Sequence, residues 1–128
     1  LSTIGESVVL EFHPDGREDR YTLAPEDLGI RRAGYAEIAT TGDVRREADR
    51  FLEVLAGTAP DACLDLTCLN AAAVLYVAGK AADLESGISQ SREIIHSGRA
   101  LEKFRHWAAV QKDAGASSAR GLPDCAGA

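Results

Sequence analysis

The chain has 128 residues but no methionine, few aromatic side chains and only three cysteines. Phe, Trp and Tyr together make up 5% of the residues, so a core must be built mainly from Ala, Leu, Val and Ile. Cys63, Cys68 and Cys125 lack the paired spacing of a disulfide framework, which favours a reducing compartment. We therefore expect a cytoplasmic protein with free thiols.

Positive charge and long hydrophobic runs are also scarce. The chain carries 14 Lys and Arg against 20 Asp and Glu, a net charge of −6, whereas a nucleic-acid surface needs clustered basic residues to neutralise phosphates. The most apolar run, residues 69–78, includes Asn70 and is far shorter than the ~20 residues of a membrane-spanning helix. We expect neither nucleic acid nor a membrane as a partner.

The first half of the chain predicts a β-hairpin followed by a helical turn. Residues 7–12 and 17–23 alternate in hydrophobicity, and His13-Pro14-Asp15-Gly16 between them is typical of a turn. Ala24 to Leu28 predicts one helical turn with Pro25 at its first position, ended by Gly29.

Four helices are predicted downstream, because the hydrophobic period changes from two to 3.6 at Asp43. They are expected at about residues 44–56, 60–78, 84–96 and 99–113. The apolar stripes of the first, third and fourth are Val44, Ala48, Phe51, Leu52 and Leu55; Leu84, Ile88, Ser91 and Ile95; and Leu101, Phe104 and Ala108. The second helix is apolar on all sides between Leu69 and Ala78 except at Asn70, which indicates burial all round.

Residues 1–113 are thus expected to form one structural unit, and residues 114–128, rich in small residues and without periodicity, a disordered tail. A helix buried on all sides needs more cover than three amphipathic helices and a hairpin supply. The start at Leu1, without an initiator methionine and next to a strand pattern, suggests the C-terminal part of a longer protein. We expect the helices to cover a sheet that lies upstream.

The histidines and cysteines do not predict a site. His13, His96 and His106 have no Cys, Ser or second His at a useful spacing, and we interpret them as surface residues. Cys63 and Cys68 lie on different faces of one predicted helix, which disfavours a shared zinc ion and favours small core residues.

The remaining polar candidates also have structural interpretations. Asp43 places a negative charge where a phosphate would bind at the following helix, so Thr40-Thr41-Gly42-Asp43 predicts a helix cap. Asn70 is expected to clamp neighbouring backbone, because buried polar groups are usually paired. The acids form a scattered, solvated set: Glu11, Glu18, Asp19, Glu26 and Asp27.

Four segments nevertheless occur in a characteristic order. They are residues 1–5 (Leu-Ser-Thr-Ile-Gly), 21–30 with Pro-Glu-Asp-Leu-Gly, 69–81 with Asn-Ala-Ala, and 95–101 with the Ser-Gly break. In this order they resemble the C-terminal part of the anthranilate phosphoribosyltransferase family, and the resemblance covers Leu1 to about Lys112. The related pyrimidine-nucleoside phosphorylases fit the second and third segments less well.

The resemblance implies an α/β enzyme, a pentosyltransferase of tryptophan biosynthesis that moves a phosphoribosyl group from phosphoribosyl pyrophosphate to anthranilate with Mg²⁺ as cofactor. In that family the glycine-rich phosphate loop and the metal-binding Asp-Glu pair lie upstream of the segment that begins at Leu1. The resemblance therefore assigns no catalytic, cofactor-binding or metal-binding residue here, and Leu1, Ser2 and Thr3 would only be adjacent to the metal site.

Three further expectations follow from the resemblance. The isolated chain should lack phosphoribosyltransferase activity and bind no cofactor. Any homodimer should form through a helical domain that these residues do not include. Two alternatives remain open at this point: a non-catalytic helical interaction module descended from the family, and part of an enzyme similar to the pyrimidine-nucleoside phosphorylases.

Overall fold

The computed structural model describes the backbone of residues 1–119 and the side chains of residues 1–112. The elements are β1 (Ser7–Phe12), β2 (Glu18–Leu23), a 3-10 turn (Pro25–Leu28), α1 (Tyr35–Ile38), α2 (Val44–Ala56), α3 (Asp61–Val77), α4 (Leu84–His96) and α5 (Arg99–Ala119). The predicted hairpin and four helices are confirmed, whereas the short helix α1 was not predicted, because four residues carry no readable period.

The two strands form an antiparallel ladder in which Ser7 pairs with Leu23 and Phe12 with Glu18. The turn closes with the His13 N–H donating to the Arg17 carbonyl at 2.9 Å and the Gly16 N–H donating to the His13 carbonyl at 2.9 Å. Gly16 adopts a φ of 85°, the left-handed conformation that glycine accepts without strain. The turn residues therefore act as the sequence predicts.

Local capping signals set the helix ends. The Asp43 carboxylate accepts from the backbone N–H groups of Arg45 and Arg46, which confirms the predicted cap of α2. A carboxylate also caps helix α1. The Glu37 carboxylate accepts a hydrogen bond from the Gly34 N–H at 2.7 Å and one from the Arg31 guanidinium at 2.7 Å. The Arg31 hydrogen bonds, with that of Gly34, lower the pKa of Glu37 to about 2.

The core lies where α3 crosses α4. Its buried residues are Ile30, Cys68, Leu69, Ala72, Ile88 and Ile95. Gly87 lets the two helices approach closely, because a Cβ at this position would lie 2.9 Å from the Cα of Ala72. The predicted stripe of α4 is confirmed at Ile88, Ser91 and Ile95, all of which are buried.

Two predicted burial patterns are wrong. The apolar stripe of α2 faces solvent at Val44, Phe51 and Leu52, while Val54, outside that stripe, is the buried residue of the helix. Helix α3 is buried on one side only, since Val74 is 69% and Val77 is 85% exposed. On α2, Phe51 gains partial cover from the ring of Phe104 in α5, with centroids 5.1 Å apart.

Helix α5 places Leu101, Phe104 and Ala108 in half-buried positions, as predicted. It continues to Ala119, so its end lies beyond residue 113, where the sequence predicted that order would stop. The alanines at 114, 116 and 119 favour this continuation, because alanine has the highest helix propensity. The rest of the predicted tail, residues 120–128, lies outside the described residues.

Among the described helices, none alone has the length and hydropathy needed to cross a membrane. The bent pair α2 and α3, taken together, passes that test by length and composition only.

Candidate functional site

A groove of about 650 Å³ separates β1 from the C-terminal half of α3. From the hairpin it is lined by Val9, Leu10, Glu11, Phe12, His13, Pro14 and Tyr21, and from the helical side by Ala73, Tyr76, Val77, Gly79, Ala81 and Leu84, with Leu1 at one end. It is the largest of the four concavities described, and most of its lining is apolar.

Glu11 forms the polar centre of this groove. Its carboxylate accepts hydrogen bonds from the hydroxyl groups of Tyr76 and Tyr21, the latter at 3.2 Å. The prediction of a solvated acid is therefore wrong for Glu11, which is half-buried and joins the hairpin to α3. Strand alternation places Glu11 and Tyr21 on one face, but Tyr76, 65 residues away, carried no sequence signal.

Both tyrosines hold their protons more tightly than usual. The hydrogen bond to Glu11 and the negative charge of its carboxylate raise the pKa of Tyr76. Burial is the largest cause that raises the pKa of Tyr21, and Glu11 adds to it. Through these two hydrogen bonds Glu11 links β1 to β2 and to α3.

We expect alkaline pH to release this contact. Because the pKa of Tyr76 is raised on folding, its bond to Glu11 stabilises the protein below the ordinary tyrosine pKa of about 10 and is lost as the pH rises through the folded value. Urea unfolding should show Tyr76→Phe less stable than the parent at pH 8, with the difference shrinking progressively as the pH is raised above about 10. The exposed control Tyr35→Phe should show no such change, and a deficit that does not shrink with pH would contradict the assignment.

His13 lines the groove and contacts Asp19. Its Nε2 lies 2.9 Å from Oδ2 of Asp19, which also binds Arg17, and the His13 side chain is only partly exposed. The prediction of a surface residue is therefore wrong for His13, whose side chain is 20% exposed, whereas the Asp19 side chain is still 40% exposed to solvent. The contacts of Asp19 with His13 and Arg17 tie the two sides of the turn together.

Asn70 clamps the N-terminal segment onto α3. Its Nδ2 donates to the carbonyl groups of Leu66 and Leu1, each at 2.9 Å, and its Oδ1 accepts from the backbone nitrogen of Leu1 at 2.7 Å. The predicted clamp is confirmed. The additional finding is its partner, Leu1, which lies 69 residues away in sequence.

Replacing Asn70 with Leu should lower the free energy of unfolding by about 1–3 kcal/mol. The backbone nitrogen and carbonyl of Leu1 would lose their hydrogen bonds to the side-chain amide while remaining partly buried. The control Thr67→Val removes a hydroxyl that only binds the Cys63 carbonyl within α3, so its cost should stay below about 1 kcal/mol. Urea unfolding measures both, and equal losses would show that Asn70 has no special role.

The other candidates are structural. Cys63 and Cys68 are buried free thiols, which confirms their role as small core residues, and burial raises the pKa of the Cys68 thiol. Glu26 pairs with Arg32 at 2.8 Å and Asp27 accepts from the Ala24 N–H at 2.8 Å, so these acids shape the turn. Cys125 lies outside the described residues.

The N-terminal segment is firmly held at Thr3. Thr3 is fully buried, and its carbonyl accepts from the Ala33 N–H at 2.8 Å. Within the described part of the chain, no group of three His, Cys, Asp or Glu side chains is placed to hold a metal ion. The geometry of Thr3 supports an anchoring role for the N-terminal segment.

The comparisons with known proteins agree with one another. Residues 1–101 match a family described as "Glycosyl transferase family, a/b domain". The chain is 36% identical over 104 residues to "Anthranilate phosphoribosyltransferase" of Geobacillus kaustophilus, covering 81% of this chain and 30% of that protein. It is 42% identical over 110 residues to the protein of the same name from Anaeromyxobacter sp. strain K, covering 86% and 32%. It therefore spans less than a third of the length of these relatives.

Proposed function

Because the chain belongs to the glycosyl transferase family whose a/b domain matches residues 1–101, we propose that it is the C-terminal part of an anthranilate phosphoribosyltransferase. The observation that carries this proposal is the shared name of relatives that are 36% and 42% identical to it. In the proposed reaction the anthranilate nitrogen bonds to the ribose C1 of phosphoribosyl pyrophosphate. The bond from C1 to pyrophosphate breaks, pyrophosphate keeps the electron pair, and the nitrogen loses a proton.

The proposed role of these residues is to support the site rather than to react. Asn70 and Ala33 hold Leu1 and Thr3 in place, so a catalytic segment that precedes Leu1 would be anchored on α3. We place the substrate sites, the Mg²⁺ site and any dimer contact in the part of the enzyme outside the aligned residues. We also propose a cytoplasmic location, and that the isolated chain has no transferase activity.

A chimaera tests this function. The aligned 104-residue segment of the Geobacillus kaustophilus relative is replaced by the matching residues of this chain, and phosphoribosyl anthranilate formation is measured. We expect activity from the chimaera and none from the 128-residue chain alone. A chimaera that folds cooperatively but forms no product would refute the proposal and favour a non-catalytic module.

A further inference from the structure

The groove meets β1 along the edge of the strand. Consecutive residues of β1 line it, so side chains of both strand faces border the same space. Leu10 and Phe12 belong to one face, and Val9 and Glu11 to the other. Strand β2 contributes only Tyr21. Because side chains from both faces of β1 border the groove, the groove lies beside the edge of this strand.

That edge carries free backbone groups. The His13 N–H bonds to the Arg17 carbonyl, and antiparallel ladders alternate, so Glu11 and Val9 also direct their backbone groups toward β2. The N–H and carbonyl groups of Val8, Leu10 and Phe12 therefore point away from β2. Within the described part of the chain, these groups make no backbone hydrogen bond outside the hairpin.

The side walls of the groove are apolar and exposed. Leu10 is 57% and Phe12 is 68% exposed, and across the groove Val77 of α3 is 85% exposed. An unpaired strand edge beside exposed apolar side chains is a template for the addition of another strand. Proteins normally cover such edges. Glu11, the one acid in the groove, already accepts from two tyrosine hydroxyls and does not demand a cation.

We propose that this groove seats an extended, apolar β-strand that pairs with the free edge of β1. The strand is supplied by the portion of the enzyme outside the aligned residues, so this inference rests on the proposed function. Relatives are more than three times as long as the aligned segment and their family is an a/b domain, whereas the described residues contain two strands. The incoming strand places alternate residues against Ala73 and Val77 and continues the sheet past β1 rather than β2.

Two matched proline variants test which edge is used. Leu10 and Arg20 lie opposite each other in the ladder, and the N–H of each points outward, toward the free edge of its own strand. Leu10→Pro therefore blocks the edge of β1 and Arg20→Pro the edge of β2, and both keep the hydrogen bonds between the strands. Each variant is made in the chimaera and in the 128-residue chain.

In the isolated chain both prolines should lower the melting temperature by similar amounts, because both edges are free. In the chimaera, Leu10→Pro should lower it by about 2–4 °C more than Arg20→Pro, because a buried hydrogen bond is lost only at the covered edge. Equal shifts in the chimaera, or a larger shift for Arg20→Pro, would overturn the proposal.

Two further readouts separate this inference from the proposed function. A folded, active chimaera with equal shifts refutes only the strand proposal, whereas a folded, inactive one with unequal shifts refutes only the function. Sedimentation equilibrium of the isolated chain provides the last check. A dimer abolished by Leu10→Pro but not by Arg20→Pro would show that a second copy occupies the groove, and would overturn the assignment to the same enzyme.

Discussion

Replacing Leu69 with Ala should lower the free energy of unfolding by about 2–5 kcal/mol. Leu69 is 1% exposed and packs in the cluster at the crossing of α3 and α4. Truncation removes apolar contacts and leaves a cavity, because the surrounding helices can relax only in part. Urea unfolding of the 128-residue chain measures the loss.

Leu52→Ala provides the matched control, since it makes the same chemical change on the exposed side of α2. Its cost should stay below about 1 kcal/mol, because little apolar surface leaves a buried environment and alanine favours the helix. Equal losses at the two positions would show that the cluster around Leu69 is not the core of the molecule.

Replacing Gly87 with Val should cost about 3 kcal/mol, the upper end of the range for overpacking. A Cβ at this position lies 2.9 Å from both the Cα and the Cβ of Ala72 and 3.1 Å from its carbonyl oxygen. Backbone atoms cannot move aside as a flexible side chain can, so α3 and α4 must separate. This steric cost far exceeds the difference in helix propensity between glycine and valine, which is below about 1 kcal/mol.

A valine introduced at Ser89 distinguishes the steric cost of the side chain from the helix propensity of valine. Ser89 lies on the exposed side of α4, so Ser89→Val should change the free energy of unfolding by less than about 0.5 kcal/mol. Gly87→Ala should fall between the two, because its single methyl group already meets Ala72 but also lowers the entropy of the unfolded chain. A neutral or stabilising Gly87→Val would mean that the helices are not in close contact here.

The clamp at Asn70 and the cluster at Glu11 perform related tasks. Asn70 ties Leu1 to α3, and Glu11 ties β1 to the same helix through Tyr76. Helix α3 is thus the element to which the N-terminal segment and the hairpin are both attached. In the proposed enzyme, this arrangement makes α3 the support on which the preceding, substrate-binding part of the chain would rest.

Local signals in the sequence determined the elements of this protein. Gly16 and its neighbours specify the turn, Asp43 and Asp83 cap their helices, and Gly29 ends the 3-10 turn. Each of these contacts joins residues at most a few positions apart, so a short stretch of chain contains all the information required. The order of the short motifs likewise pointed to the family, because this order can be read from the sequence without knowledge of the fold.

Only the tertiary structure decided which surfaces meet. The stripe of α2 that begins at Val44 is apolar yet exposed, and Val77 on the apolar helix α3 is exposed as well. The bonds from Asn70 to Leu1 and from Tyr76 to Glu11 join residues 69 and 65 positions apart. Hydrophobic periodicity shows that a helix has an apolar face, but the neighbour of that face depends on how distant segments pack, which no local pattern records.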